Sequence, residues 1–215
     1  SLLMMQKHDA TYGKRLRDDW LLTVQTTNIA SGRNKIVEAF LEAKSKPDWL
    51  LFIDTDQMFS PDLMERMIES ADPVERPILS ALIMGFRGGN GMVAPACATI
   101  DDASNIVVPQ TIPAVRHWHV GMIGCGCVLI HRKVLEAVGA EWKPRDPYPW
   151  FTANMPWKHI DKATGEPVLD SIGEDYAFSL RAQGLGFGCV VDTTIEVGHV
   201  KKRTLMPADF WAENP

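Results

Sequence analysis

The apolar run Trp49-Leu50-Leu51-Phe52-Ile53 leads directly into Asp54-Thr55-Asp56, and this junction constrains the fold more than any other stretch. Five consecutive apolar residues bounded by polar ones read as a strand buried on both faces, the kind found in α/β sheets. Side chains released at the carboxyl end of such a strand stand where open α/β sheets bind ligands. One intervening residue lets both carboxylates approach a single hard cation. A divalent ion held by so few protein ligands keeps open positions and suits a diphosphate.

The chain has 215 residues, enough for one domain with a substantial core. Its apolar fraction of 46% and charged fraction of 23% are those of an ordinary globular protein. No apolar run approaches the ~20 residues of a membrane span. The formal net charge is −5 and the basic residues are dispersed, which argues against a broad nucleic-acid footprint but leaves a narrow one open. Cys125-Gly126-Cys127 has the wrong spacing for a zinc or redox CxxC pair. Alternation along a strand would turn both thiols to one face. All four cysteines (Cys97, Cys125, Cys127, Cys189) read as small buried apolar residues in a reducing, cytoplasmic compartment. No secretory signal is visible. The chain opens at Ser1 without an initiator methionine, so upstream residues are expected.

Periodicity predicts a helix end over 1–8, a strand over 20–27, a loop over 28–32 and a helix over 33–44. Ser60-Pro61 reads as N-cap and first position of the next helix. Further strands are expected over 78–83, 115–120, 127–130, 187–191 and 194–197, with a hairpin turn at 101–105. A short helix from Arg132 should close at Gly139, and another should run from Glu174 with Gly184 as its end signal. The glycine-rich stretch 85–91 lacks the Walker lysine and reads as a turn. Residues 142–167 hold five prolines and three tryptophans. This predicts a long irregular loop whose rings either stack on a ligand or pack the loop on itself.

Asp54 and Asp56 are the foremost metal candidates. Glu174 and Asp175 open a helix, where the macrodipole favours negative charge. Capping alone accounts for them, and in a cleft one of them could also take a proton from an acceptor hydroxyl. His199 follows Gly198 at the end of an apolar segment. It is either structural or, with two aspartates, a third ligand for a borderline metal such as Mn2+.

In order along the chain, strand–Asp54-Thr55-Asp56, Cys125-Gly126-Cys127-Val128-Leu129-Ile130-His131-Arg132, Gly173-Glu174-Asp175-Tyr176 and Val197-Gly198-His199 resemble a glycosyltransferase of the GT-A fold, similar to the compact versions carried by bacteriophages. The resemblance covers about residues 25–200. It implies a single α/β domain over 1–215, with a Rossmann-like, mixed and mostly parallel sheet flanked by helices. Residues 1–60 would bind the nucleotide-sugar and residues 61–215, with the 142–167 loop, would face the acceptor. The family's first strand would lie ahead of Ser1. Asp54 and Asp56 would hold Mn2+ or Mg2+ and through it the diphosphate of a UDP- or GDP-sugar, and His199 would complete the shell. Asp175, with Glu174 beside it, would be the catalytic base or bind the acceptor. Arg33-Asn34 matches an element that touches the nucleotide or phosphates, and Lys201 to Arg203 could neutralise the leaving phosphate.

The expected activity is transfer of a hexose from a nucleoside-diphosphate sugar to an acceptor hydroxyl on a virion protein, a modified DNA base or a glycan, in the host cytoplasm if the chain is phage-encoded. Two other readings share parts of the pattern. A Mg2+-dependent phosphatase of the haloacid-dehalogenase type also carries Asp-x-Asp after a strand, but continues with a small pair where this chain has Gln57-Met58, and gives His199 no role. A non-catalytic module for sugar nucleotides or glycans would keep the fold without turnover.

Overall fold

The computed structural model describes residues 2–13, 16, 23–24, 27–87 and 92–200. Its helices are α1 (Leu2–His8, continued by a π-helical turn over Asp9–Gly13), α2 (Ile29–Glu42), α3 (Leu63–Ser70), α4 (Arg132–Trp142) and α5 (Glu174–Gly184). Its strands are β1 (Trp49–Ile53), β2 (Gln57–Met58), β3 (Ile78–Arg87), β4 (Met92–Pro95), β5 (Cys97–Ile100), β6 (Ile106–Val107), β7 (His117–Val120), β8 (Met122–Ile123), β9 (Cys127–His131), β10 (Met155–Ile160), β11 (Pro167–Ile172) and β12 (Cys189–His199).

The central sheet has the order β1-β9-β3-β12-β2, with β4 added to β3 and β7 to β12. The main core packs α2, α4 and α5 on one face through Val37, Phe40, Val134, Leu135, Val138 and Phe178. Leu63 and Met67 of α3 cover the other face. β1 serves both: Leu50 and Phe52 join the first cluster, while Trp49, Leu51 and Ile53 pack against the second. That is why the run carries no polar residue.

The sheet is mixed with flanking helices, but it is not mostly parallel. Among the described residues only β3 and β12 pair in parallel, and the other ladders of this sheet are antiparallel. Parallel neighbours need a crossover, usually helical, whereas antiparallel ones do not. Among the described residues no helix lies between β3 and β9, and β9 returns antiparallel between β1 and β3.

Several boundaries move for local reasons. α2 begins within the expected loop because Asn28 Oδ1 accepts the Ser31 N–H at 2.9 Å and caps the helix. α3 starts at Leu63, after a turn in which Leu63 N–H donates to Ser60 O. α4 runs past Gly139, which lies inside the helix. A Cβ at Gly139 would come within 2.9 Å of the Trp150 ring, so this glycine admits the indole. α5 ends in a Schellman arrangement: Gly186, at φ +85°, donates to Gln183 O and Phe187 N–H donates to Ala182 O. The left-handed position is therefore Gly186, two residues past Gly184. The two strands expected over 187–197 are one strand with a register shift between Asp192 and Glu196. Asp192 is fully buried there, its carboxylate accepting from Ser70, Thr194 and Arg116.

The 142–167 stretch is more ordered than expected. It contains β10, which pairs with β11. Trp150 is fully buried and its Nε1 donates to Leu135 O at 2.6 Å. Trp142 lies under the Arg181 guanidinium at 4.3 Å, and Trp157 Nε1 donates to Ser104 O. The rings pack the segment onto the domain. The four cysteines are buried, as expected, but Cys125 faces the α2 side and Cys127 the α3 side. Residues 124–126 precede β9, so strand alternation does not reach Cys125. The strand expected over 20–27 falls mostly outside the described residues, with none assigned at 23–24. Gly88 to Gly91 and the tail with Lys201 to Arg203 also lie outside.

Candidate active site

β1 and β9 end side by side, and the ladder gains one more bond, from Asp54 N–H to Gly126 O at 2.8 Å. Gln57 N–H then donates to Asp54 O at 3.2 Å, which closes a four-residue turn over 54–57. The two aspartates thus occupy the first and third positions of that turn. β2 follows at once and pairs with the end of β12, Gln57 opposite His199 and Met58 opposite Gly198. Val200 N–H on Asp56 O at 2.8 Å holds the same edge. The histidine late in the sequence is delivered to the metal candidates by this small ladder.

Asp54 and Asp56 take different partners. Asp56 Oδ2 lies 3.0 Å from His199 Nε2, and His199 Nδ1 lies 3.1 Å from the Met84 carbonyl. A carbonyl only accepts, so Nδ1 carries a proton. In neutral imidazole Nε2 then presents a lone pair towards a carboxylate. Two lone pairs at that distance call for a cation between them, a proton or a metal ion. Nδ1–H on a backbone carbonyl is also the usual way a metal-ligating histidine is oriented. Asp54 faces Arg33 Nη2 at 3.3 Å.

Arg33 projects from the inner side of α2 with its side chain only 7% exposed. Its Nη1 binds Glu174 Oε1 at 3.0 Å and also contacts Asp175 Oδ1. Burial works against its charge, but Cys125 and the carboxylates of Asp175, Asp54 and Glu174 outweigh it and push the pKa higher still. Asp175 Oδ2 accepts the Cys125 N–H at 3.1 Å. Burial raises the Asp175 carboxyl above its ordinary range; Arg33 opposes this and Glu174 adds to it. Burial likewise drives the Cys125 thiol well up, so it is inert as a nucleophile.

Asp54, Glu174, Asp175 and His199 line a cleft of about 390 Å³ whose walls also include Gln57, Gly124, Gly126 and Tyr176. Arg33 and Asn34, expected at the nucleotide, are used otherwise. Arg33 ties three carboxylates together from below. Asn34 is buried; its Nδ2 donates to Ala30 O and Phe151 O, and its Oδ1 accepts from Trp150 N–H. These bonds clamp the 150–151 segment and consume the amide. Lys201 cannot be placed, being outside the described residues. The sequence reading gave no site role to Gln57, the Cys125 N–H, Gly124 or Gly126. A Cβ at Gly124 would meet Ala96 O at 3.2 Å, and one at Gly126 would meet Gln57 Nε2 at 3.1 Å. The Gly-Cys-Gly spacing was the available signal.

Three carboxylates face one guanidinium and a fourth, Asp56, lies beside them, so the opening carries excess negative charge and repels a bare diphosphate; a bridging cation removes that conflict. Among the described residues no cluster of three or more His, Cys, Asp or Glu could hold a metal ion. Asp54, expected as a third ligand, faces Arg33, and Asp56 with His199 would need substrate phosphates and water to complete the shell of an ion such as Mn2+. The donor set fits on those terms.

No protein-family model and no curated protein matches this sequence. Solved structures do. A197 from STIV aligns with a TM-score of 0.51 at 16% identity, covering 85% of this chain and 72% of that one. GalNAc-T7, crystallised with UDP, GalNAc and Mn2+, aligns with a TM-score of 0.51 at 12% identity, covering 92% of this chain and 34% of that one. The chain therefore spans about a third of the length of GalNAc-T7. At these identities the likeness concerns architecture alone: the chain shares the overall fold of these two structures. Among the described residues no helix is long and apolar enough to cross a membrane.

Proposed function

We propose that this chain is a metal-dependent glycosyltransferase that moves a sugar from a nucleoside-diphosphate sugar to an acceptor hydroxyl. The observation that carries the reading is the facing of His199 Nε2 and Asp56 Oδ2 at 3.0 Å, at a cleft that His199 lines together with Glu174 and Asp175. UDP and Mn2+ in the GalNAc-T7 structure support the same class of donor.

Asp56 and His199 would hold the ion, with Asp54 adding negative charge beside them. The ion would supply charge neutralisation for the departing diphosphate. Asp175 is the candidate base for the acceptor proton, because its raised pKa brings its basicity closer to neutral pH. Arg33 positions it through Oδ1 and the Cys125 N–H through Oδ2. Glu174 shares Arg33 and stands at the same helix start. If configuration is retained, no such base is required, and Asp175 then orients the acceptor.

The test is release of nucleoside diphosphate from a panel of UDP- and GDP-sugars, with Mn2+ and with EDTA, by wild type and Asp56→Asn. Metal-dependent release from one donor, lost in the variant, is expected. Binding of that donor without turnover, with any acceptor supplied, would leave a sugar-nucleotide-binding module instead.

A further inference from the structure

Gln57 is buried, 7% exposed, yet its Oε1 has no hydrogen-bond partner. Its Nε2 donates to Asp56 Oδ1 at 3.2 Å. Turning the amide over would set an oxygen against that carboxylate, so the orientation is forced. Gly126 packs directly on the amide, where a Cβ would lie 3.1 Å from Nε2 and 3.4 Å from Cδ. The backbone of Gln57 pairs with His199. A buried acceptor left without a donor costs stability, and a methionine would fill this space without that cost. The one thing the amide does that methionine cannot is hold Asp56 by one oxygen while the other faces the imidazole.

We infer that Gln57 is a positioning residue: its carboxamide sets the rotation of the Asp56 carboxylate so that Oδ2 and His199 Nε2 converge on one cation, with Gly126 as the wall behind it. This rests on the reading of Asp56 and His199 as metal ligands. Groups of this kind, one bond removed from the ion, typically change metal affinity by about 10–100-fold when removed.

The experiment measures Mn2+ binding in the presence of UDP, by the loss of the free-ion electron paramagnetic resonance signal, for wild type, Gln57→Met and Gly126→Ala. Melting temperatures are taken without metal. Mn2+ affinity about tenfold or more weaker in both variants, with the metal-free Gln57→Met protein melting no lower than wild type and by expectation about 2–4 °C higher, supports the inference. Wild-type affinity in Gln57→Met overturns it. A fall in melting temperature with that substitution overturns it too, since the amide would then be structural. If wild type itself takes up no Mn2+ with UDP, the metal reading fails and the inference with it. That failure is recognisable because it appears before any substitution is made.

Discussion

Arg33→Met isolates the electrostatic centre of the site. The substitution keeps an unbranched stem and removes the charge that three carboxylates share. The guanidinium is 7% exposed, Asp175 27% and Glu174 22%, so these two contacts are largely shielded from water. Breaking a buried pair by deleting one partner costs about 3–5 kcal/mol. Asp54 is 45% exposed and adds only about 0–1 kcal/mol. Partial exposure of the carboxylates places the total near the low end, about 3 kcal/mol. For a domain of this size that lowers the melting temperature by about 6–12 °C. The pH dependence has a definite sign. Burial already raises Asp175 in the folded state, and losing Arg33 raises it further. Between the unfolded value of about 3.9 and the folded one, the folded chain holds a proton that the unfolded chain has released. Stability therefore falls as pH rises through that window. The deficit of the variant is greatest at pH 7.5 and shrinks towards pH 5, and adding Asp175→Asn recovers part of it. Urea midpoints at the two pH values measure this. A loss under about 1 kcal/mol at pH 7.5, or an equal loss at both, would refute the account of Arg33 as the counter-charge of the acidic cluster.

Asp175→Asn should preserve Mn2+–UDP binding while lowering turnover by at least about 100-fold, the usual contribution of a general base; parallel titration and rate measurements distinguish this from a binding defect. Gly139→Ala should cost about 1–3 kcal/mol, because a methyl 2.9 Å from the Trp150 ring overpacks a filled core; thermal denaturation reports it. Asp101 is held down to about 2, foremost by its hydrogen bond from Lys162 and then by the Asn105 N–H. A depressed carboxylate contributes above its unfolded pKa and loses that contribution as pH falls through the folded one. Protection of the amides in the 101–105 turn, relative to their intrinsic exchange rates, should therefore fall between about pH 4 and pH 2, and Lys162→Ala should shift the onset upward.

The sequence was most legible where one segment carries its own instruction. The apolar run of β1 marks a strand covered on both faces, and Glu174-Asp175 after Gly173 marks a helix start. Asp54 and Asp56 therefore land at a strand end, and the acidic pair lands in a first turn. What depended on partners far away was not legible. β9 runs antiparallel to both β1 and β3, and no residue within β9 encodes that direction. Arg33 and Asn34 are adjacent, yet one gathers carboxylates and the other clamps Trp150 and Phe151, because successive helix positions point about 100° apart. Gly139 looked like a stop because the ring it accommodates lies eleven residues away in a proline-rich stretch. Gln57 drew attention only as a departure from another motif. Its role emerges once β12 returns to set His199 across from it.

The ladder between β2 and β12 also bears on how the protein is made. His199 meets Asp56 across 143 positions of chain, and β12 must pair with β3, β7 and β2 before the imidazole arrives. Contacts of such separation form slowly, since loop closure comes before any reward. Synthesis runs from the N-terminus, so a growing chain displays its aspartates long before it owns the histidine. On the proposed reading, ion capture is a late event in folding, and the rate at which Mn2+ binding is regained after dilution from denaturant becomes a clock for the docking of the last strand.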